Sequence, residues 1–192
     1  MPDFEFSNTN IPGLLSIQPK FFPDERGYLM KSFEKDVFLN QGLPITFNEF
    51  LESRSAKGTL RGIHIQTEYP QGKLVRVSRG VAFEVAVDLR SDSSTFGKWQ
   101  GFYLSETNKK MLYLPEGFGA SFLALEENTV LNYLCTDRYS SKYETGIMWN
   151  DKDLKIDWPL HKVESLIISE KDKKQLSFLE YCRKFAGEKS LT

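Results

Sequence analysis

The sequence predicts a mainly β protein: a sandwich, jelly roll or small barrel. Three observations carry that reading. Short extended runs recur through residues 14–136 with turn residues between them, a spacing of about ten residues that suits such architectures. The cleanest run, 80–90, places Val81, Phe83, Val85, Val87 and Leu89 on one face and Ala82, Glu84, Ala86 and Asp88 on the other. Aromatic residues make up 14 % of the chain, with 15 Phe, as a β-rich core favours.

In order, residues 1–12 are polar with Phe4 and Phe6 alternating, which suits an edge strand or arm. A first strand is expected over 14–19. Residues 21–33 carry a turn at Pro23, Asp24 and Gly27 that leads into a strand. The stretch 34–40 is long enough only for a short helix, and 45–53 is extended. Further strands are expected at 99–104, 111–114, 121–125 and 129–136, with turn signals at 106–108 and 126–128. The acidic second face of 80–90 either lines a wet cavity or meets solvent. Beyond Tyr139 the pattern changes. SEKDKKQLSFLEYCRKF, 169–185, reads as a helix with Ser169 as N-cap, Asp172 three residues on, and a stripe of Leu176, Leu179 and Cys182. The last residues, GEKSLT, are expected to fray.

A chain of 192 residues is expected to form one domain and to bury roughly 70 % of its unfolded surface. The jelly-roll core is expected at about 14–160 and the C-terminal helical segment at about 169–185. Net charge is −1 with Lys and Arg scattered, which gives no footprint for nucleic acid. No apolar run approaches a membrane span, and the N-terminus lacks a signal-peptide pattern. Cys135 and Cys182 are far apart and read as reduced thiols of a cytoplasmic protein.

The chemistry centres on TLRGIHIQTEYPQGK, 59–73, which holds one of only two histidines. Strand alternation puts Gly62, His64 and Gln66 on one face and Ile63 and Ile65 on the other. Arg61 has the wrong parity to join His64 unless the strand is bulged, and Gly62 between them is a bulge signal. Arg61, His64 and Lys73 converging on one concavity would suit an anionic, carbonyl-bearing ligand. The bland alternative is a strand with one hydrogen-bonded histidine and two solvated cations. His161, the other histidine, lies in a loop-like segment far away, so the ligand set of a catalytic transition metal is missing. A P-loop, a Rossmann glycine pattern and a Gly-x-Ser-x-Gly elbow are also absent.

Eight segments in order resemble the dTDP-4-dehydrorhamnose 3,5-epimerase family, metal-free members of the cupin jelly rolls. They are FPDERGYL (22–29), TLRGIHIQ (59–66), QGKLVRVSRG (71–80), FEVAVDLR (83–90), TFGKWQGFYLS (95–105), PEGFGASFLAL (115–125), YLCTDRY (133–139) and GIMWNDKDLKIDWP (146–159). The resemblance implies a double-stranded β-helix with a short C-terminal helix, no metal and no cofactor. It implies a homodimer acting on a nucleoside-diphosphate 4-keto-6-deoxy sugar, in deoxysugar biosynthesis for surface polysaccharide or a natural product. By resemblance His64 is the base that removes the proton beside the ketone, and Tyr133 is the acid on the opposite face. Lys73 and Arg61 are cations near the keto oxygen and the phosphates, and Asp172 orients the histidine. Phe22 and Arg26 fall at nucleotide contacts completed across the dimer; Tyr139 and Glu144 match further pocket positions. The residue types suit the reaction: a cation stabilises an enolate as it forms, a neutral imidazole (ordinary pKa about 6.5) can serve as base, and a phenol (about 10) can donate.

The chain departs from the family pattern at five positions. Ala120 stands where the family has a second histidine, Glu49 and Leu51 where it tends to have Gln and Asn, Lys31 for a Glu, and Arg138 for a frequent Tyr. The main reading is epimerisation of dTDP-4-keto-6-deoxyglucose at C3 and C5. These changes allow a C5-only or C3-only epimerase of a variant such as CDP-4-keto-3,6-dideoxyglucose, as in an ascarylose pathway. Two other readings are a cupin sugar isomerase that moves the ketone, and a non-catalytic sugar-nucleotide-binding cupin.

Overall fold

The computed structural model describes residues 3–187. Thirteen strands and two short α-helices run in the order β1 (Phe4–Asn8), β2 (Leu15–Pro19), β3 (Phe21–Asp24), β4 (Gly27–Met30), α1 (Lys35–Asn40), β5 (Glu49–Ser55), β6 (Leu60–Gln66), β7 (Lys73–Arg79), β8 (Val81–Asp88), β9 (Trp99–Ser105), β10 (Met111–Leu114), β11 (Phe118–Ala124), β12 (Thr129–Cys135), β13 (Glu144–Gly146) and α2 (Phe178–Tyr181). Six strands form one sheet, β1-β2-β10-β7-β12-β5, and five form another, β13-β6-β11-β8-β9. All pairings of these strands are antiparallel. The expected jelly roll is therefore present, with β1 as the edge strand and β3–β4 as a separate hairpin.

Each sheet buries apolar residues on both of its faces. Between the sheets, Val75, Val77, Leu112, Leu114 and Leu131 meet Ala82, Ala86, Leu104, Phe118 and Phe122. Outside the five-stranded sheet, Ile63, Ile65, Phe83, Val85 and Val87 pack under Ile147, Leu154, Trp158 and Tyr181. Outside the six-stranded sheet, Phe4, Ile17, Leu74 and Met111 pack under Phe38 of α1 and Leu43. This explains the two faces of β8. Its bulky residues are needed under the C-terminal cover, where burial of each contributes about 1.5–3 kcal/mol. Its alanines are needed where the sheets approach each other.

One expected element differs. Residues 169–185 do not form one helix. Asp172–Lys174 makes a single 3₁₀ turn, the chain then extends, and α2 is followed by a π-helical turn, Cys182–Ala186. Tertiary pairing overrides local propensity here. The Leu176 N–H donates to Gly146 O and the Met148 N–H to Leu176 O, so the chain at 176 serves as a bridge partner of Ile147. The capping box belongs to Ser177 and Glu180, each side chain accepting the other's N–H, so the helix starts there. Ser169 does cap locally: its Oγ accepts the Asp172 N–H at 3.0 Å. Of the tail expected to fray, 188–192 lies outside the described residues. Cys135 and Cys182 are free and buried. Among the described residues no helix is long and apolar enough to cross a membrane.

The bulge signalled by Gly62 is present. Phe122 of β11 pairs with Arg61 while Ala120 pairs with His64, so three steps on β6 oppose two on β11. Gly62 has φ +101°, and a Cβ there would sit 2.5 Å from the Ala120 carbonyl oxygen and 2.9 Å from Ser121 Cα. Only glycine fits. Gly62→Ala should cost about 2–4 kcal/mol and lower Tm by roughly 5–15 °C in calorimetry; an unchanged Tm would refute this account of the bulge.

Candidate active site

The bulge solves the parity problem. The extra residue lets Arg61 and His64, three apart, both line a cavity of about 560 Å³ between the two sheets. β6 contributes these two residues, β7 Lys73, β8 Glu84, β11 Ala120, β12 Tyr133 and Cys135, β5 Leu51 and β13 Glu144. The 3₁₀ turn adds Asp172, and Lys171 precedes it.

His64 is partly open to the cavity, with 28 % of its side chain exposed, while that of Asp172 is 5 % exposed. His64 Nε2 lies 2.6 Å from Asp172 Oδ1, and Nδ1 lies 3.6 Å from Glu144 Oε1. With a carboxylate on Nε2, the ring holds its hydrogen there and leaves the lone pair on Nδ1, the nitrogen on the Glu144 side. Burial alone would raise the Asp172 carboxyl. The hydrogen bond and charge of His64, with Ser169 and Gln175, outweigh it and hold Asp172 below the ordinary carboxylate range. Burial also opposes ionisation of Glu144, but Lys171, the Tyr139 hydroxyl (2.7 Å) and His64 lower it. A carboxylate oxygen thus faces each ring nitrogen of His64, so a proton taken up by the ring would meet negative charge on both sides.

Tyr133 faces the same cavity from the other sheet. Burial raises its phenol above the usual range against the pull of Ser53, and the Glu84 carboxyl adds to the rise. It is a proton donor at neutral pH. Arg61 donates from Nε to Ser55 Oγ at 3.2 Å. Among the described residues neither Arg61 nor Lys73 has a carboxylate within salt-bridge distance. Two cations without counter-ions on one cavity call for an anionic ligand.

Of the sequence-predicted site residues, His64, Tyr133, Lys73, Asp172, Arg61, Leu51, Ala120, Tyr139 and Glu144 line the cavity. Phe22, Arg26, Lys31, Glu49 and Arg138 do not line it in this chain. Phe22 and Arg26 lie on the exposed hairpin, with Arg26 paired to Asp24. Lys31 pairs with Asp3 and Glu34. Glu49 accepts the Tyr139 N–H, and the Arg138 guanidinium covers the Tyr69 ring. Sequence reasoning missed Glu84, Cys135, Gln71 and Lys171, which also line the cavity. A signal existed for Glu84 in its polar face on β8. Among the described residues no three or more His, Cys, Asp or Glu gather so as to hold a metal ion.

The fold and the cavity place the protein in a class, jelly-roll proteins equipped for acid–base chemistry on anionic carbonyl compounds. The chain belongs to the dTDP-4-dehydrorhamnose 3,5-epimerase family, whose profile matches residues 8–180. It is 49 % identical over 173 residues to the dTDP-4-dehydrorhamnose 3,5-epimerase of Methanothermobacter thermautotrophicus, covering 90 % of this chain and 94 % of that one. It is similar to the crystal structure of dTDP-6-deoxy-D-glucose-3,5-epimerase from Legionella pneumophila in complex with dTDP-4-keto-L-rhamnose, with TM-score 0.87, 40 % identity, and 91 % and 92 % of the two chains covered. It is also similar to a 3′-monoepimerase from Streptomyces bikiniensis in complex with dTDP-quinovose, with TM-score 0.85, 30 % identity, and 91 % and 88 % covered.

Burial pushes the Glu84 carboxyl up to about 8, opposed only by Lys73. A carboxyl raised on folding contributes stability that is complete below its unfolded pKa, near 4.5, and is lost as pH rises through 8. Wild type should therefore lose stability between pH 5 and 8 relative to Glu84→Gln, by at most about 5 kcal/mol. Parallel denaturant titrations of the two proteins check this; identical pH dependence would refute it.

Proposed function

We propose that this chain epimerises dTDP-4-keto-6-deoxyglucose at C3 and C5. The observation that carries the reading is that His64 and Tyr133 project into one cavity from the two facing sheets. A sugar ring held between them presents opposite faces to base and acid. His64 Nδ1 removes the proton beside the C4 ketone, and the electron pair moves to the keto oxygen as an enolate. Lys73 supplies positive charge to that oxygen and Arg61 to the diphosphate. The Tyr133 O–H then gives its proton to the same carbon from the other side. Solvent restores both groups for the next centre.

The dTDP-linked relatives favour this reading over a CDP-linked 3,6-dideoxy sugar. Exchange in heavy water followed by NMR tests it on dTDP-4-keto-6-deoxyglucose. Deuterium at C3 and C5 is expected. Label at C3 alone would make the protein a monoepimerase, and bound ligand without label would make it a binding protein. Asp172→Asn should lower kcat about 10²–10⁴-fold, because the ring loses its tautomer and its counter-charge. Tyr133→Phe should keep proton exchange while losing inversion, since His64 then returns the proton to the face it came from. Loss of exchange and inversion together would overturn the assignment of Tyr133.

The protein works in the cytoplasm as a homodimer. Leu29 is 74 % exposed on β4 and Phe50 is 69 % exposed on the edge strand β5, with Phe21, Phe22 and Tyr28 also exposed nearby in sequence to Leu29. A second copy would cover these surfaces and bring its Phe22 and Arg26 to the mouth of this cavity. The double variant Leu29→Asp, Phe50→Asp should sediment as a monomer where wild type sediments as a dimer. A monomeric wild type would sink the dimer.

A further inference from the structure

We propose that Glu84 is a substrate-contacting residue whose carboxyl donates a hydrogen bond to the keto oxygen, sharing the enolate with Lys73. The proposal rests on the reading of this cavity as an epimerase site. Glu84 sits on the inner face of β8 between Ala82 and Ala86, is 2 % exposed, and lines the cavity. Its Oε2 is buried and has no hydrogen-bond partner. A buried polar atom left unpaired costs stability, so its retention among alanines calls for a partner that arrives with the ligand.

The neighbours define that partner. Across β9 and β11 Glu84 pairs with Phe102 and Phe122, which offer no hydrogen bond. The charged and titratable groups that share its cavity are Lys73 from β7, Tyr133 and Cys135 from β12, Arg61 and His64 from β6, Glu144 from β13, and Tyr139, Lys171 and Asp172 from the segments outside the strands. Lys73 and Tyr133 both act electrostatically on the carboxyl or feel it. An ionised Glu84 would cancel the charge of Lys73 and repel an enolate. Burial keeps the proton on Glu84 at neutral pH, with the carboxyl titrating near 8, so the group is a donor beside the same cation. No proton leaves it during turnover: the hydrogen bond strengthens as the keto oxygen gains charge and relaxes when the carbon is reprotonated.

The test uses the full-length protein, with infrared spectra and kcat measured against pH on dTDP-4-keto-6-deoxyglucose. A protonated-carboxyl band should be present at pH 7, absent in Glu84→Gln, and shifted by the sugar nucleotide. Glu84→Met, of similar size without a donor, should lower kcat about 10²-fold with KM little changed, and Glu84→Gln, which still donates, about tenfold. The loss of wild-type kcat above pH 8 should disappear in Glu84→Gln. Turnover with no band, or with a band that ignores the ligand, would overturn the proposal, as would a fully active Glu84→Met. A band that shifts with ligand in a wild type showing no exchange would overturn the epimerase reading and keep Glu84 as a ligand contact.

Discussion

The hydrogen bond between His64 and Asp172 joins residues 108 apart, and much of the molecule is arranged so that it can form. His64 stands on a strand of the five-stranded sheet, whereas Asp172 belongs to the segment that covers the outer face of that sheet. The cover is held at two points. Thr59 bridges to Ile167 before Asp172, and Ile147 bridges to Leu176 after it. Between those anchors the chain must turn sharply, and the 3₁₀ turn at Asp172–Lys174 is that turn. A long helix over the same residues would have satisfied their propensity but carried the carboxylate off the imidazole.

Charge in the cavity follows a division of labour. On the His64 side the carboxylates outnumber the free cations, because Lys171 is paired with Glu144. That balance supplies counter-charge to a proton delivered to the ring. On the Lys73 and Arg61 side no carboxylate within salt-bridge distance offsets either cation among the described residues. A substrate that becomes more negative at its oxygen as it loses a proton to the imidazole is stabilised at both ends. Neither half of the arrangement would suffice alone. A base without the cations would face a weakly acidic C–H, and cations without the base would only hold the ligand.

Much of this was legible in the sequence, for identifiable reasons. Period-two alternation is a local property, so 80–90 read correctly as a strand with a bulky face and a small one. The pairing of Gly62 with Arg61 and His64 signalled a bulge, because a glycine between two polar residues of opposite parity has few other uses in a strand. What was illegible depends on distant partners. Residues 169–185 carry helical spacing, and only the backbone of Gly146 and Met148 explains why Leu176 extends instead. Glu84 was seen on the right face, but whether that face was wet or dry depends on the opposite sheet. The places of Lys31 and Arg138 turn on Asp3, Glu34 and Tyr69, none of which spacing could connect to them.

The proposed mechanism uses one base, His64, and one acid, Tyr133, whereas the proposed substrate has two centres to invert. C3 and C5 flank the same carbonyl, so the two reactions share one enolate oxygen and differ in which carbon meets His64. If Lys73 holds that oxygen fixed, the ring must present its two flanks in turn about the carbonyl axis. What decides whether it does is the wall that the rest of the ring sweeps past, not the acid and base. In this chain that wall includes Leu51 and Ala120, an apolar and a small side chain with no hydrogen-bonding group to anchor one orientation. These two side chains anchor neither presentation, while Gln66, Gln71 and Ser121 line the same cavity; the reading as a double rather than a single epimerase therefore rests on the 3,5-epimerase relatives.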